Sequence, residues 1–310
     1  MKRVAEALGV SRSNLAERSQ GRTAPRGPYF KADDETLLPL IRRFVDERPT
    51  YGYRRITALV NRELARQDLP PANRKRVHRI MQRHALLLER HTGRREGRVH
   101  DGKVMVMRSN LRWCSDGLEF TCWNGEIIRL AFIIDAFDRE IIAWIAISGA
   151  GISGSEVRDM MLEAVEKRFA AMRAPHPIEH LSDNGSPYTA KDTRDFAAAL
   201  NLVPCFTPVR SPESNGMAEA FVKTFKRDYV RVKPLPDAHT ALRQIAGWIA
   251  DYNDVHPHSA LRMRSPREFI RAGHPHQLLN FHGLGLAMAC LGLGWAGFTA
   301  SDGDGMALFR

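Results

Sequence analysis

This chain has few cysteines, few acids in its first third, and one long uninterrupted apolar stretch. Cys114, Cys122, Cys205 and Cys290 are its four cysteines in 310 residues. None forms a Cys-x-x-Cys pair, and no Cys/His cluster has zinc-finger spacing. Met1-Lys2-Arg3 leads into an amphipathic segment and not an apolar core, so no cleavable signal is read. These absences point to a reduced, cytoplasmic protein. The uncharged run from Gly283 to Ala300 is 18 residues long, at the lower edge for a bilayer span, and five of them are glycine. It has short flanks and no second segment, so it reads as part of an irregular apolar tail over 274–310 and not as a membrane helix.

Charge is present but uneven. Residues 1–110 hold 25 Lys+Arg and 12 Asp+Glu, a net of +13, whereas residues 111–310 hold 21 and 23, a net of −2. The first third therefore attracts a polyanion, against the plainer alternative of a solvated basic surface. Arginine greatly outnumbers lysine there, and its planar fork suits bidentate contacts to phosphate and guanine. A chain of 310 residues with 44% hydrophobic content accommodates two or three domains.

Patterning divides the chain. Residues 1–18 read as a partial helix-turn-helix: Val4, Ala5 and Leu8 form an apolar stripe, Gly9 permits the turn, and Ser11 caps the second helix. Residues 19–32, rich in Gly, Pro and Arg, read as a linker. Residues 33–88 read as an all-helical, DNA-binding domain. Leu37, Leu40, Ile41, Phe44 and Val45 mark its first helix, which Pro49 ends. A second begins near Tyr51-Gly52-Tyr53-Arg54-Arg55-Ile56. Asn73 caps a third, with Val77, Ile80 and Met81 on its apolar side and Arg74, Lys75, Arg76 and Arg79 as its cations. Arg54, Arg55 and those four are candidate DNA contacts, weighed against a merely solvated face. Residues 89–110 read as a basic linker.

From residue 111 the period changes. Strands are expected at 111–120, 127–137, 141–147, 178–183 and 202–207, the second buried on both faces. Helices are expected at 155–173, 190–200, 215–230 and 237–253. Three consecutive strands followed by alternating helices and strands imply an α/β fold, a mixed five-stranded sheet flanked by helices.

Three acids stand out in that order. Asp116 lies on the first strand, Asp183 ends the fourth before the turn pair Asn184-Gly185, and Glu219 opens a helix after the fifth. If the first and fourth strands are neighbours, their carboxylates converge and the helix delivers the third. Three carboxylates suit two Mg²⁺ ions, with Mn²⁺ as substitute, and two such ions perform phosphodiester chemistry. Taken singly, each acid has a plainer reading: a solvent-facing strand residue, a turn former and a helix-surface glutamate. Other acids compete less well. Glu119 faces the opposite side of the strand from Asp116, Asp135 and Asp138 resemble turn residues, and Glu213 is a second-choice ligand. Lys223 and Lys226 follow Glu219 on one helix face and are candidate phosphate contacts. Gly216 is read as allowing close backbone approach. His256-Pro257-His258 is read as a structural turn or DNA-contact loop, and not as a metal site.

Trp113-Cys114-Ser115-Asp116, Ser182-Asp183-Asn184-Gly185-Ser186, Ser211-Pro212-Glu213-Ser214-Asn215-Gly216-Met217-Ala218-Glu219, Lys226, Tyr252-Asn253 and Pro257-His258-Ser259 together resemble the OrfB-type transposases of bacterial insertion sequences. Tyr51 to Ile56 and Asn73 to Val77 resemble that family's helix-turn-helix segment. The resemblance covers about residues 33–270. His256 stands where many members have arginine. The resemblance implies an RNase H-like, retroviral-integrase-like DDE core, here 111–273, with Asp116, Asp183 and Glu219 as catalytic metal ligands. It further implies double-stranded DNA of the element's terminal repeats and target as partner, a dimer or higher assembly on DNA, and an upstream OrfA-type protein or frameshift fusion. The location expected is the bacterial cytoplasm, with nucleoid association. Alternative readings are a catalytically silent or partner-dependent DNA-binding regulator and an RNase H-type nuclease.

Overall fold

Apolar residues at helical spacing, punctuated by prolines and capping side chains, build the first part of the chain. The computed structural model describes residues 2–21, 33–89, 106–149, 151–207 and 215–273. The apolar run 283–300 and Glu213 lie outside these, as do most of both expected linkers. The chain divides into two compact units, Met1–Val99 with Lys223–Pro234 and His100–Val222 with Leu235–Arg310.

In the first unit, α1 (Lys2–Ala7) and α2 (Arg12–Ser19) are joined through Gly9 at φ +61°. Ser11 caps α2 by accepting from Asn14 N at 3.2 Å. The expected apolar stripe is only partly realised: Ala5 is buried, but Val4 and Leu8 are exposed. A helix of six residues has too little surface to cover all three. Helices α3 (Asp34–Glu47), α4 (Tyr53–Arg66) and α5 (Arg74–Arg83) follow. They bury Leu37, Ile41, Ile56, Leu59, Val60, Val77, Ile80 and Met81. Asn61 clips the Pro70-Pro71 loop, accepting from Ala72 N at 2.8 Å and donating to Ala72 O at 3.2 Å. Asn73 caps α5 by accepting from Lys75 N. Buried Asp228 accepts from Thr50 Oγ1 at 2.7 Å and Arg55 Nη1 at 3.1 Å, which fastens the 223–234 segment to this unit.

Asp34 is buried at the start of α3, where Arg76 Nε and Arg79 Nη2 donate to it at 2.6 and 3.1 Å. Burial pushes its carboxyl up, but the two guanidinium hydrogen bonds outweigh this and hold it below its usual range. Asp34→Ala is expected to destabilise by about 2 kcal/mol. That is less than a fully buried pair, because both arginines reach water. The deficit, read from urea unfolding, should be present at neutral pH. It should fade as pH falls through the depressed carboxylate pKa, where the wild type loses the same contribution.

The second unit is a five-stranded mixed sheet of order β3-β2-β1-β4-β5. Its strands are β1 (Arg112–Thr121), β2 (Ile127–Asp135), β3 (Ile141–Ser148), β4 (Ile178–Ser182) and β5 (Leu202–Phe206). β1, β2 and β3 pair antiparallel, while β1–β4 and β4–β5 are parallel. This is the mixed sheet expected, with the RNase H-like arrangement that the resemblance implied. β2 is buried on both faces from Leu130 to Ile134 because helices cover each side.

Strand alternation divides the core. Trp113, Ala131 and Ile133 face α6 (Gly154–Phe169), packing with Val157, Met161, Ala164 and Val165. α6 starts with a reciprocal capping box between Ser153 and Glu156 and stops at Ala170, whose φ is +51°. That left-handed residue ends the helix before the expected limit at 173. Phe132 faces the other side, against Phe221 of α9 (Gly216–Asp228), with ring centroids 4.4 Å apart. Tyr252 of α10 (Ala238–Asp254) packs edge-on to Phe221 at 4.9 Å. Asn253 accepts from Ile141 N and donates to Ile141 O, both at 2.9 Å, imitating a strand partner on β3. Buried His256 stacks on Tyr252.

Among the described residues, three further α-helices complete the unit. α7 (Ser186–Thr189) and α8 (Lys191–Ala199) lie between β4 and β5, and α11 (Pro266–Gly273) follows α10. Patterning does not reveal α7, since four residues carry no readable period. α11 had a signal in Ser265-Pro266-Arg267-Glu268: Glu268 accepts from Ser265 N at 2.8 Å and Ser265 Oγ accepts from Glu268 N at 3.3 Å.

Candidate active site

β1 and β4 are neighbours, the condition on which convergence of the first two acids depended. Their parallel register runs Arg112↔Glu179, Trp113↔His180, Cys114↔Leu181. Continued by two residues, it sets Asp116 opposite Asp183. Asp116 pairs across with Phe132, so it shares the sheet face that receives Phe221 of α9. Glu219 sits in the first turn of that helix, two residues before Phe221.

The carboxylates are locally anchored. Asp116 Oδ1 accepts from Gly117 N at 2.8 Å, and Asp183 Oδ1 accepts from Gly185 N at 3.0 Å. A Cβ on residue 185 would come 3.0 Å from Asp183 Oδ1, so the turn requires glycine. Asn184 Nδ2 donates to Thr207 O at 2.9 Å and ties this turn to the end of β5. A cavity of about 370 Å³ opens beside Asp183, bounded by Gly117, Glu119, Arg129, Pro187 and Tyr188.

Electrostatics ties the three acids together. Burial, followed by the charges of Asp183 and Glu219, pushes Asp116 up to about 6, despite the opposing Gly117 hydrogen bond. A divalent cation would relieve this repulsion, and an all-carboxylate donor set suits a hard ion such as Mg²⁺. Among the described residues, no three His, Cys, Asp or Glu side chains close into a ready-made metal cage.

This frustration has a measurable cost in the metal-free protein. Well below 3.8, Asp116 is protonated in both states and costs nothing. Between the ordinary 3.8 and about 6, the unfolded chain releases the proton first, so stability falls as pH rises. Asp116→Asn is therefore expected to stabilise the metal-free protein at pH 8 by on the order of 1–2 kcal/mol, or roughly 5 °C in Tm. The gain should shrink as pH falls toward 3.8 and vanish below it. Thermal unfolding with chelator present reads this, and an unchanged Tm at pH 8 would refute it.

The other acids fall elsewhere. Glu119 lies on the opposite strand face and pairs with Arg129 at 3.5 Å. Asp135 does serve a turn, accepting from Phe137 N and Asp138 N, but it and Asp138 are fully buried. Arg168 binds Asp138 through both terminal nitrogens at 3.0 Å. Local sequence could not show this network, because its cation comes from α6. The Gly216 expectation is not met: among the described residues, nothing lies within 4 Å of a Cβ built there.

Among the candidate DNA contacts, Arg54, Arg74 and Lys75 are exposed. Arg55, Arg76 and Arg79 are half-buried and pair with Asp228 or Asp34. Lys223 is exposed and Lys226 half-buried on α9. Sequence reasoning missed Tyr188 and the roles of Ser115 and Asn215 beside the acids. Among the described residues, no helix is long and apolar enough to cross a membrane.

Comparison with known proteins gives a family. Residues 107–212 and 202–266 match models of an integrase core domain, and residues 31–94 match an HTH-like domain. The insertion element IS136 protein Atu4601 of Agrobacterium fabrum is 79% identical over 192 residues, which cover 62% of this chain and 98% of that one. The InsD transposase for insertion element IS2 of Escherichia coli is 50% identical over 240 residues, covering 77% of this chain and 79% of that one. A simian T-cell lymphotropic virus intasome chain is similar at 17% identity and TM-score 0.42, over 74% of this chain and 73% of that chain. With an HTH-like segment, an integrase core and half of the 240 aligned residues shared with InsD, the chain belongs to the transposases of insertion elements.

Proposed function

We propose that this transposase binds the terminal repeats of its element and uses Asp116, Asp183 and Glu219 to hold two Mg²⁺ ions for strand cleavage and joining. The single observation that carries this is that β1 lies beside β4 on the face that receives α9, so that the charges of Asp183 and Glu219, from separate elements, both act on Asp116. Bound there, Mg²⁺ would activate a water or 3′-hydroxyl and stabilise the leaving oxygen. The protein's own part is to fix the carboxylates: Gly117 N and Gly185 N orient two of them, and Phe221 seats the helix carrying the third.

DNA binding would fall to the basic first third, with Arg54, Arg74 and Lys75 exposed for phosphate or base contacts. Arg55, Arg76 and Arg79 would contribute from the edges of their ion pairs, and Lys223 and Lys226 would steady phosphate beyond Glu219. Joining requires both DNA ends together, so the working form would be at least a dimer on DNA, in the cytoplasm. An upstream OrfA-type partner or fusion belongs to the same proposal.

The experiment is incubation of terminal-repeat duplex with the protein and Mg²⁺, following nicked and joined strands on a denaturing gel. Cleaved and joined DNA is the expected result. Binding without turnover, even with the upstream partner added, would favour a regulator. Cleavage of RNA in a hybrid without DNA joining would favour a nuclease of the RNase H type.

A further inference from the structure

The ladder between β1 and β4 ends at Cys114↔Leu181, two residues short of Asp116 and Asp183. Beyond it, three mutually repelling carboxylates need some other tie. Ser115 supplies one. It is fully buried and, by strand alternation, faces away from Asp116. Its Oγ donates to Phe132 O at 2.9 Å and contacts Tyr188 Oη at 2.7 Å. A serine has one hydroxyl proton, so Tyr188 must be the donor in the second bond. Tyr188 N in turn donates to Gly185 O at 3.0 Å, within the turn that follows Asp183. On the other side, buried Asn215 donates from Nδ2 to Ser115 O at 3.1 Å, one helical turn before Glu219. One residue, adjacent to the first acid, is thus bonded to the segments carrying the other two.

We propose that Ser115, Tyr188 and Asn215 are positioning residues that set the spacing of the three acids and thereby the site's affinity for divalent cations. This rests on the proposed function of those acids. Such supporting bonds around metal ligands typically affect metal affinity by about 10–100-fold. Tyr188→Phe removes one hydroxyl and preserves the ring. Asn215→Ala removes the second tie independently.

The test is thermal unfolding of the full chain across a MnCl₂ titration. The dependence of Tm on metal gives an apparent affinity without any turnover. Tyr188→Phe and Asn215→Ala are each expected to weaken Mn²⁺ binding about tenfold or more; affinities within about twofold of wild type overturn the proposal. The Ser115→Ala, Tyr188→Phe double variant separates positioning from plain stability. Tyr188→Phe alone leaves Ser115 Oγ its bond to Phe132 O, so the double variant should lose further metal-free Tm with that bond. Mn²⁺ affinity should stay at the level of Tyr188→Phe, whose tie is already gone. Affinity that falls again in step with Tm would mean that the bonds serve stability only, and the proposal fails. Asp183→Asn distinguishes the underlying reading. If metal stabilises that variant as well as wild type, the acids are not the cation site and the proposed function falls. If Asp183→Asn loses the metal response while Tyr188→Phe keeps it, only the positioning role falls.

Discussion

Asp183→Asn is expected to reduce DNA cleavage and joining by on the order of 10³-fold or more, corresponding to about 4 kcal/mol of transition-state stabilisation. The amide is nearly isosteric, and its oxygen can still accept from Gly185 N, as the carboxylate does at 3.0 Å. Turn geometry, and with it the Asn184 tie to Thr207, should survive. What disappears is one negative charge from a donor set whose purpose would be to neutralise cations. Activity should therefore fall without a loss of folded protein, and terminal-repeat binding should persist, since the basic first third is untouched. Strand-joining assays, gel-shift binding and the Tm of the same preparation check all three. Near-normal joining by Asp183→Asn would remove it as a metal ligand. The metal-free stabilisation expected for Asp116→Asn belongs to the same logic: a site built from like charges is destabilising until its cations arrive.

Arg168→Met carries the largest expected effect on stability, a loss of about 3–5 kcal/mol, or roughly 10 °C in Tm. Arg168 bonds Asp138 twice at 3.0 Å and Glu140 at 3.1 Å, with its side chain 10% exposed and that of Asp138 fully buried. Removing the cation takes both guanidinium bonds from fully buried Asp138, whereas Glu140 keeps Arg267 Nε at 2.9 Å. Asp135, next to this pair, is already pushed up to about 6 by burial and by the Asp138 charge, with Arg168 opposing. Without Arg168 the charged forms become still less favourable. The deficit should be greatest at pH 8, above the raised range of Asp135, and should shrink as pH falls below it and Asp135 takes up its proton. Thermal melts at pH 8 and pH 4 test this. An equal deficit at both would mean that packing of the long side chain, and not its charge, supplies the stability.

Much of the fold was legible because it is encoded at short range. Apolar runs bounded by turn residues marked β1 to β3, three-to-four-residue spacing marked α3 to α6, and Ser11 and Asn73 cap where their neighbours required it. The chain's failures of legibility are equally physical. α7 has too few residues for a period. α6 stops at left-handed Ala170, whose conformation no side chain announces. The candidate cations were harder. Arg76 and Arg79 share α5 with Arg74 and Lys75, yet they bond Asp34, which is 42 and 45 residues away along the chain.

The sequence by itself determined which acids are candidates for phosphodiester chemistry, where the positive charge lies, and the family to which the chain belongs. These depend on residue identity and local spacing, and Asp116, Asp183 and Glu219 each stand in a recognisable local motif. Only the tertiary structure decided that β1 lies beside β4, that α9 seats on Phe132, and that Ser115 joins the three acid-bearing segments. Such partners are selected by burial and strand pairing across the whole unit. A carboxylate's neighbours in space, and hence its charge state, follow from that packing and not from its neighbours in the chain.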